Sequence, residues 1–192
     1  MAKGIYKILI AGEGGQGVQA MSHILAEAAF SAGLDVNYLP NYGVEQRGGV
    51  SLGFLQIGKG VIGFPKFSKA DIIVVLRDRA VDRIAEYIDD KTLYIYDSDL
   101  IVGSELRGVM AEKLAIPATS LAAAKLSPTV TNMVLVGSLL SEIPVLSRKI
   151  VEDTLDKYFA DKYKVKPQLR NLNKKALDLG DKAAKDAFKL KR

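Results

Sequence analysis

An α/β fold, with an open, mostly parallel doubly wound sheet, helices on both faces and a C-terminal helical extension, is the architecture this sequence predicts. Three observations predict it. Apolar runs of strand length alternate with segments of helical periodicity along most of the chain. A glycine-rich turn, Gly12-Glu13-Gly14-Gly15-Gln16-Gly17, follows the first apolar run, where such folds pass from a strand into a helix. Finally, 192 residues suffice for one core, able to bury roughly 70 % of the unfolded surface. We divide the chain into an α/β domain over 1–160 and a basic helical extension over 161–192.

The elements follow in order. Tyr6–Ala11 is nearly all apolar, as a central parallel strand covered on both faces requires. After the glycine turn, Val18, Met21, Leu25 and Ala28 or Ala29 recur at spacings of three and four, predicting a helix of about 15 residues with that face on the sheet. Gly33 ends it with a left-handed cap. Asp35–Leu39 is a second strand, stopped by Pro40, and residues 41–50 are a polar, glycine-punctuated loop. Ser51–Ile57 and Val61–Ile62 are expected to pair across Gly58-Lys59-Gly60. Ile72–Leu76 is another apolar strand, Arg79–Ile88 a helix and Thr92–Asp97 a further strand. The segment 98–128 is less regular, with a short strand expected at Val109–Ala111, a break at Ile116-Pro117 and a helix from Thr119 to Leu126. Thr131–Leu140 is an apolar helix rich in small residues. Ser147–Phe159 is an amphipathic helix capped by Ser147, and a last helix runs from Asn171 to Lys189.

Composition narrows the function. The net charge of +5 is uneven: residues 161–192 hold 11 Lys/Arg against 4 Asp/Glu, whereas 1–160 hold 16 against 18. A near-neutral body with a basic tail suits a solvated helix face or a dock for an acidic partner. No interleaved aromatics accompany the charge, so nucleic acid is not expected as a partner. The chain has no cysteine, which removes disulfides, thiol nucleophiles and cluster-ligating thiolates. Met1-Ala2-Lys3-Gly4 leads straight into a strand, so no secretory signal is expected, and no apolar run approaches the ~18 residues of a membrane span. The expected setting is the cytoplasm, away from membranes.

Gly12, Gly14 and Gly17 satisfy the G-x-G-x-x-G spacing of a dinucleotide-binding turn. That reading also needs an acidic residue at the carboxyl end of the second strand, for the ribose hydroxyls. Here that end is Tyr38-Leu39-Pro40-Asn41, and the nearby acid, Asp35, starts the strand instead. Dinucleotide binding is therefore disfavoured. Two readings of the turn remain. It receives a phosphate at the helix start, where free N–H groups and the dipole favour anions, or it brings two backbones close together.

A second constellation, Asn41-Tyr42-Gly43-Val44-Glu45-Gln46-Arg47-Gly48-Gly49, follows the second strand. In an open sheet it shares an edge with the glycine turn. Arg47, which the glycines of this loop are expected to expose, has a planar fork suited to carboxylate or phosphate, or it pairs with Glu45 on the surface. Together Gly12–Val18 and Tyr42–Gly49 resemble the gamma subunit of the 2-oxoacid:ferredoxin oxidoreductases and its close relative, the small subunit of indolepyruvate oxidoreductase. Phe64-Pro65, Lys69–Leu76, Thr131–Gly137 and the spaced Asn173, Ala176 and Gly180 extend the resemblance over nearly the whole chain.

That resemblance implies a subunit of an enzyme of anaerobic metabolism that oxidatively decarboxylates a 2-oxoacid to an acyl-CoA and reduces ferredoxin. It implies that thiamine diphosphate and iron–sulfur clusters sit on partner subunits, that this chain holds no cofactor tightly, and that it is inactive alone. In related single-chain enzymes the corresponding domain contributes to coenzyme A binding and closes over the active site. Carried over by residue, the shared CoA-facing set is Gly12, Gly14, Gly15, Gln16, Gly17, Tyr42, Glu45, Arg47, Gly48, Gly49 and Asn132. Asn132 alternatively caps a helix or lies at an interface. No catalytic residue and no metal ligand is read in the chain. His23, the single histidine, falls in the first helix as a packing residue, and Asp97 and Asp99 suit strand-end capping. Two other classes compete: a free-standing phosphate- or nucleotide-binding protein, and an interaction subunit whose glycines serve packing alone.

Overall fold

The structure, a computed structural model, describes residues 4–42 and 49–190, with Tyr42 described by its backbone alone. Six strands form one sheet in the order β2-β3-β1-β4-β5-β6. They are β1 (Ile5–Glu13), β2 (Asp35–Tyr42), β3 (Val50–Gly58), β4 (Ile72–Val75), β5 (Leu93–Asp97) and β6 (Glu112–Ile116). β1, β4, β5 and β6 run parallel, whereas β3 is antiparallel to both β1 and β2. The expected open sheet is thus present with one reversed strand wedged between β1 and β2.

Alternate residues of each strand enter two cores, as the period of two dictates. Ile8, Ile10, Leu55, Ile57, Ile72, Val74, Ile95 and Leu114 face a thick helical layer. That layer holds α1 (Val18–Ser31), α3 (Ala118–Lys125), α4 (Thr131–Leu140), α5 (Arg148–Tyr158) and α7 (Gln168–Lys189). Leu9, Ala11, Phe54, Ile73, Val75 and Tyr94 face the other core. Short pieces cover it: the one-turn α2 (Val81–Ile84), flanking 3-10 turns, and loops bearing Phe67, Ile101 and Leu106. The covering on both faces is therefore unequal. A six-residue helix, α6 (Ala160–Val165), joins α5 to α7.

Several local expectations are corrected. Pro40 does not stop β2; it lies within the strand opposite Gly53, which an edge strand tolerates because its other side has no partner in the sheet. Val61–Ile62 form no strand, because β3 already pairs on both sides, with β1 and β2. The Arg79–Ile88 helix is broken into a 3-10 turn, α2 and a second 3-10 turn. The short strand predicted at Val109–Ala111 begins instead at Glu112, paired with Leu93. β1 is central, but only its β4 side is parallel.

α7 belongs to the core. Its Asn173, Ala176, Leu177, Gly180 and Ala184 are buried, mainly against α4. The two backbones touch: a side-chain carbon on Gly180 would collide with Val134 O and Ser138 N. Ser138 Oγ bridges them, reaching Val134 O at 3.2 Å and Gly180 O at 3.1 Å. The spaced Asn173, Ala176 and Gly180 are thus the buried stripe of one helix.

Candidate functional site

The glycine turn connects the end of β1 to α1. Gly15 and Gly17 adopt φ of 99° and 87°, conformations a side chain with a Cβ resists. Gln16 folds back on the turn. Its Oε1 accepts from Glu13 N at 2.7 Å, and its Nε2 donates to Leu76 O at 3.3 Å, just beyond β4. Gly12 makes room for this latch, since a Cβ there would sit 2.8 Å from Gln16 Oε1 and 3.0 Å from Val18 Cγ2. Gly14 N donates to Gly49 O at 3.0 Å. The two glycine motifs therefore meet at one sheet edge, as the sequence pattern implied. Backbone register places Tyr42 opposite Ser51, directly beside them. Glu45, Arg47 and Gly48 lie outside the described residues.

Of the predicted set, Gly15, Gln16, Gly17 and Asn132 line one cleft of about 980 Å³. Gly12, Gly14 and Gly49 lie behind the turn as its structural support. Asn132, the second residue of α4, faces Gly17 so closely that a Cβ on Gly17 would meet its Nδ2. Among the described residues its amide has no hydrogen-bond partner. The approach to α4 is ordered by Ser127 Oγ, which accepts from Thr129 N, and by Thr131 Oγ1, which donates to Pro128 O at 3.0 Å. Two helix starts, α1 after Gly17 and α4 at Thr131, thus open onto the same space, a setting that favours anions.

The floor comes from β5. Asp97 is almost wholly buried, accepting from Thr119 Oγ1 at 2.6 Å and from Asp99 N at 3.1 Å. Burial pushes its carboxyl pKa up, and the Thr119 and Asp99 hydrogen bonds only partly offset this. Asp99 accepts from Ser120 N at 2.7 Å. Both acids cap the start of α3, where Pro117 supplies no side-chain cap, so the strand-end capping expectation holds.

The far wall was not foreseen. It is built by Phe159, Lys162, Val165 and Lys166 around α6, with Leu169 and Asn173 of α7. Asn173 Nδ2 donates to Tyr163 Oη at 2.8 Å and so ties α6 to α7. The alternation of Lys162, Lys164 and Lys166 is visible in the sequence only as part of the basic tail; its placement against the cleft needs the α6–α7 turn. His23 packs between Tyr38 and Tyr158, with ring centroids 6.3 Å and 5.4 Å away, consistent with a packing role. Among the described residues no cluster of His, Asp and Glu could hold a metal, and no helix is long and apolar enough to cross a membrane.

The β2-β3-β1 order also bears on dinucleotide binding. In a dinucleotide fold the second strand lies beside the first; here β3 separates them, and Asp35 binds Gly60 N at 3.0 Å at the opposite sheet edge.

Comparison with known proteins places this geometry. Residues 7–183 match the sequence profile of the pyruvate ferredoxin/flavodoxin oxidoreductase family. The chain is 29% identical over 181 residues to ketoisovalerate oxidoreductase subunit VorA of Methanothermobacter thermautotrophicus, covering 94% of this chain and 36% of that one. It is similar in fold to 2-oxoglutarate:ferredoxin oxidoreductase of Magnetococcus marinus, solved with 2-oxoglutarate, coenzyme A and succinyl-CoA bound. There the TM-score is 0.83 at 24% identity, over 96% of this chain and 32% of that one. The keto/oxoacid ferredoxin oxidoreductase gamma subunit of Geobacter sulfurreducens aligns with TM-score 0.76 at 25% identity, over 93% of this chain and 98% of that one. The chain thus spans about a third of the first two proteins and nearly all of the third.

Proposed function

The chain belongs to the pyruvate ferredoxin/flavodoxin oxidoreductase family, and from that premise we propose that it is the gamma-type subunit of a multisubunit 2-oxoacid:ferredoxin oxidoreductase. In that assembly it helps bind coenzyme A and close the active site. The reaction converts a 2-oxoacid and CoA to an acyl-CoA and carbon dioxide, and the two electrons released pass to ferredoxin. Thiamine diphosphate and iron–sulfur clusters belong to partner subunits; this chain has no cysteine to offer a cluster.

The observation that carries the CoA assignment is the convergence of the Gly15–Gly17 turn and the Asn132 end of α4 on one cleft. Its volume of about 980 Å³ lies at the upper end of small-ligand sites, roughly 300–1,000 Å³. Backbone N–H groups at the two helix starts and the Asn132 amide receive the bridging phosphates. Leu76, Leu100 and Met133 on the cleft wall exclude water from the rest of the ligand. Gly49 is tied to the turn through Gly14 N, and we assign Tyr42, Glu45, Arg47 and Gly48 to the same CoA-facing set on the strength of the sequence motif they share with it.

In the reconstituted complex, Asn132→Asp is expected to raise KM for CoA about tenfold, the equivalent of roughly 1.4 kcal/mol, with little change in kcat. A carboxylate of the same shape repels phosphate, so an unchanged KM would remove Asn132 from the site. Arg47→Ala is expected to raise the same KM or weaken assembly, and loss of neither would end its proposed role. Tight CoA or nucleotide binding by the lone chain would favour the free-standing ligand-binding reading instead.

A further inference from the structure

We infer that Lys162 and Lys166 of the α6 segment form a phosphomonoester subsite that reads the 3′-phosphate of CoA, so that this chain sets the preference for CoA over dephospho-CoA. The inference rests on the CoA reading above and goes beyond it, because these lysines belong to the α6 segment and not to the Gly12–Gly17 turn.

Several independent observations support it. Lys162 lies in α6 and Lys166 is the residue that ends it, its N–H still bonded to Lys162 O at 2.8 Å, and both line the cleft. Their neighbours are neutralised: Lys164 binds Asp161 at 2.7 Å, Arg170 binds Asp156, and Lys174 lies 3.4 Å from Glu152. Among the described residues, Lys162 and Lys166 have no carboxylate partner. Asp161 also reaches the cleft, but its charge is engaged by Lys164.

The segment is also held in place. The Lys162 ammonium rests over the Phe159 ring, 5.1 Å from its centroid, and Tyr163 is fastened to buried Asn173 on α7. Between the lysines, Val165 is 80% exposed beside the same space. An apolar surface flanked by two free ammonium groups matches a nucleoside carrying a phosphomonoester. Such a group holds close to two negative charges at neutral pH, which the two lysines balance. The bridging phosphates, which the proposed function assigns to the glycine turn, carry one charge each and need no such pair.

The test uses the assembled oxidoreductase with CoA and with dephospho-CoA, which differ only in the 3′-phosphate. The wild type is expected to favour CoA in kcat/KM by about 10- to 100-fold, the span of one or two charge-assisted hydrogen bonds. In the K162A/K166A double variant that ratio should fall to within about threefold, through KM for CoA alone. Lys162→Arg with Lys166→Arg should restore it, because charge rather than shape is read. Lys164→Ala should leave the ratio unchanged. An equal loss with both substrates, or an unaltered ratio, would overturn the assignment. Asn132→Asp distinguishes this failure from that of the parent reading. If Asn132→Asp raises KM for both substrates while the lysine pair does nothing, only the subsite is wrong. If both variants leave KM for CoA untouched in a CoA-dependent complex, the CoA reading fails as well.

Discussion

Gly180→Ala sets two physical effects of opposite sign against each other. Gly180 lies within the long helix α7, where replacing glycine by alanine normally stabilises by about 1 kcal/mol. Here the new carbon would strike Val134 O and Ser138 N of α4. These are backbone atoms inside a packed helix, so no side-chain rotation relieves the contact. α7 must move outward by something on the order of an ångström, at an overpacking cost of about 1–3 kcal/mol or more. The same movement stretches the Ser138 Oγ to Gly180 O bond, 3.1 Å long and buried, for a further 1 kcal/mol or so. It also loosens Ala176, Leu177 and Ala184, all fully buried. After subtracting the helix-propensity gain of about 1 kcal/mol, the net is a loss of about 1–3 kcal/mol. For a chain of this size each kcal/mol shifts Tm by roughly 2–4 °C, so the melting temperature should fall by about 2–12 °C. Thermal unfolding followed by circular dichroism reads this directly. Gly15→Ala is the control: nothing lies within 4 Å of the new carbon, but φ is +99°, so the cost should be only about 1 kcal/mol. If Gly180→Ala melts at or above the wild-type temperature, propensity has won and the close approach of α4 and α7 is not as described.

Two further outcomes are expected. Asp97 has a carboxyl pKa raised above the ordinary 3.8 by burial, so its contribution to stability is present below that value and is lost as pH rises through the raised one. Asp97→Asn should therefore gain stability relative to wild type as pH rises above the ordinary 3.8, read as the difference in urea midpoints; a difference independent of pH would refute the assignment. Lys175→Glu with Lys182→Glu, on the exposed side of α7, tests the basic segment as a dock for an acidic partner or ferredoxin. Docking predicts weaker partner affinity and a shallower salt dependence, whereas unchanged affinity at low salt would leave those lysines as solubilising groups. Charge reversal is the appropriate perturbation because removing everything after Ala160 would also remove Ala176, Leu177 and Ala184 from the core.

The sequence by itself determined the parts whose physics is local. Val18, Met21, Leu25, Ala28 and Ala29 mark the buried face of α1 because a 3.6-residue period needs no distant partner to be read, and all five are buried. Ser147 is legible as a cap, and its Oγ accepts from Ile150 N. The meeting of the two glycine motifs was legible too, since strands that run the same way deliver their following loops to one edge, and Gly14 indeed binds Gly49. What required the tertiary structure were the choices between partners. Apolar runs do not state which strand they pair with, so the insertion of β3 between β1 and β2 and the edge position of Pro40 were not readable. Likewise Gln16, which lines the cleft as the motif implied, could not be read as the latch whose amide also reaches Leu76 O beyond β4. Lys162 and Lys166 read as tail charge until the turn from α6 into α7 brings them to a cleft whose opposite wall lies more than a hundred residues earlier, at Gly15–Gly17. Local propensity fixes which segments fold and which face they bury; only the global packing of those faces decides which distant polar groups come to share one site.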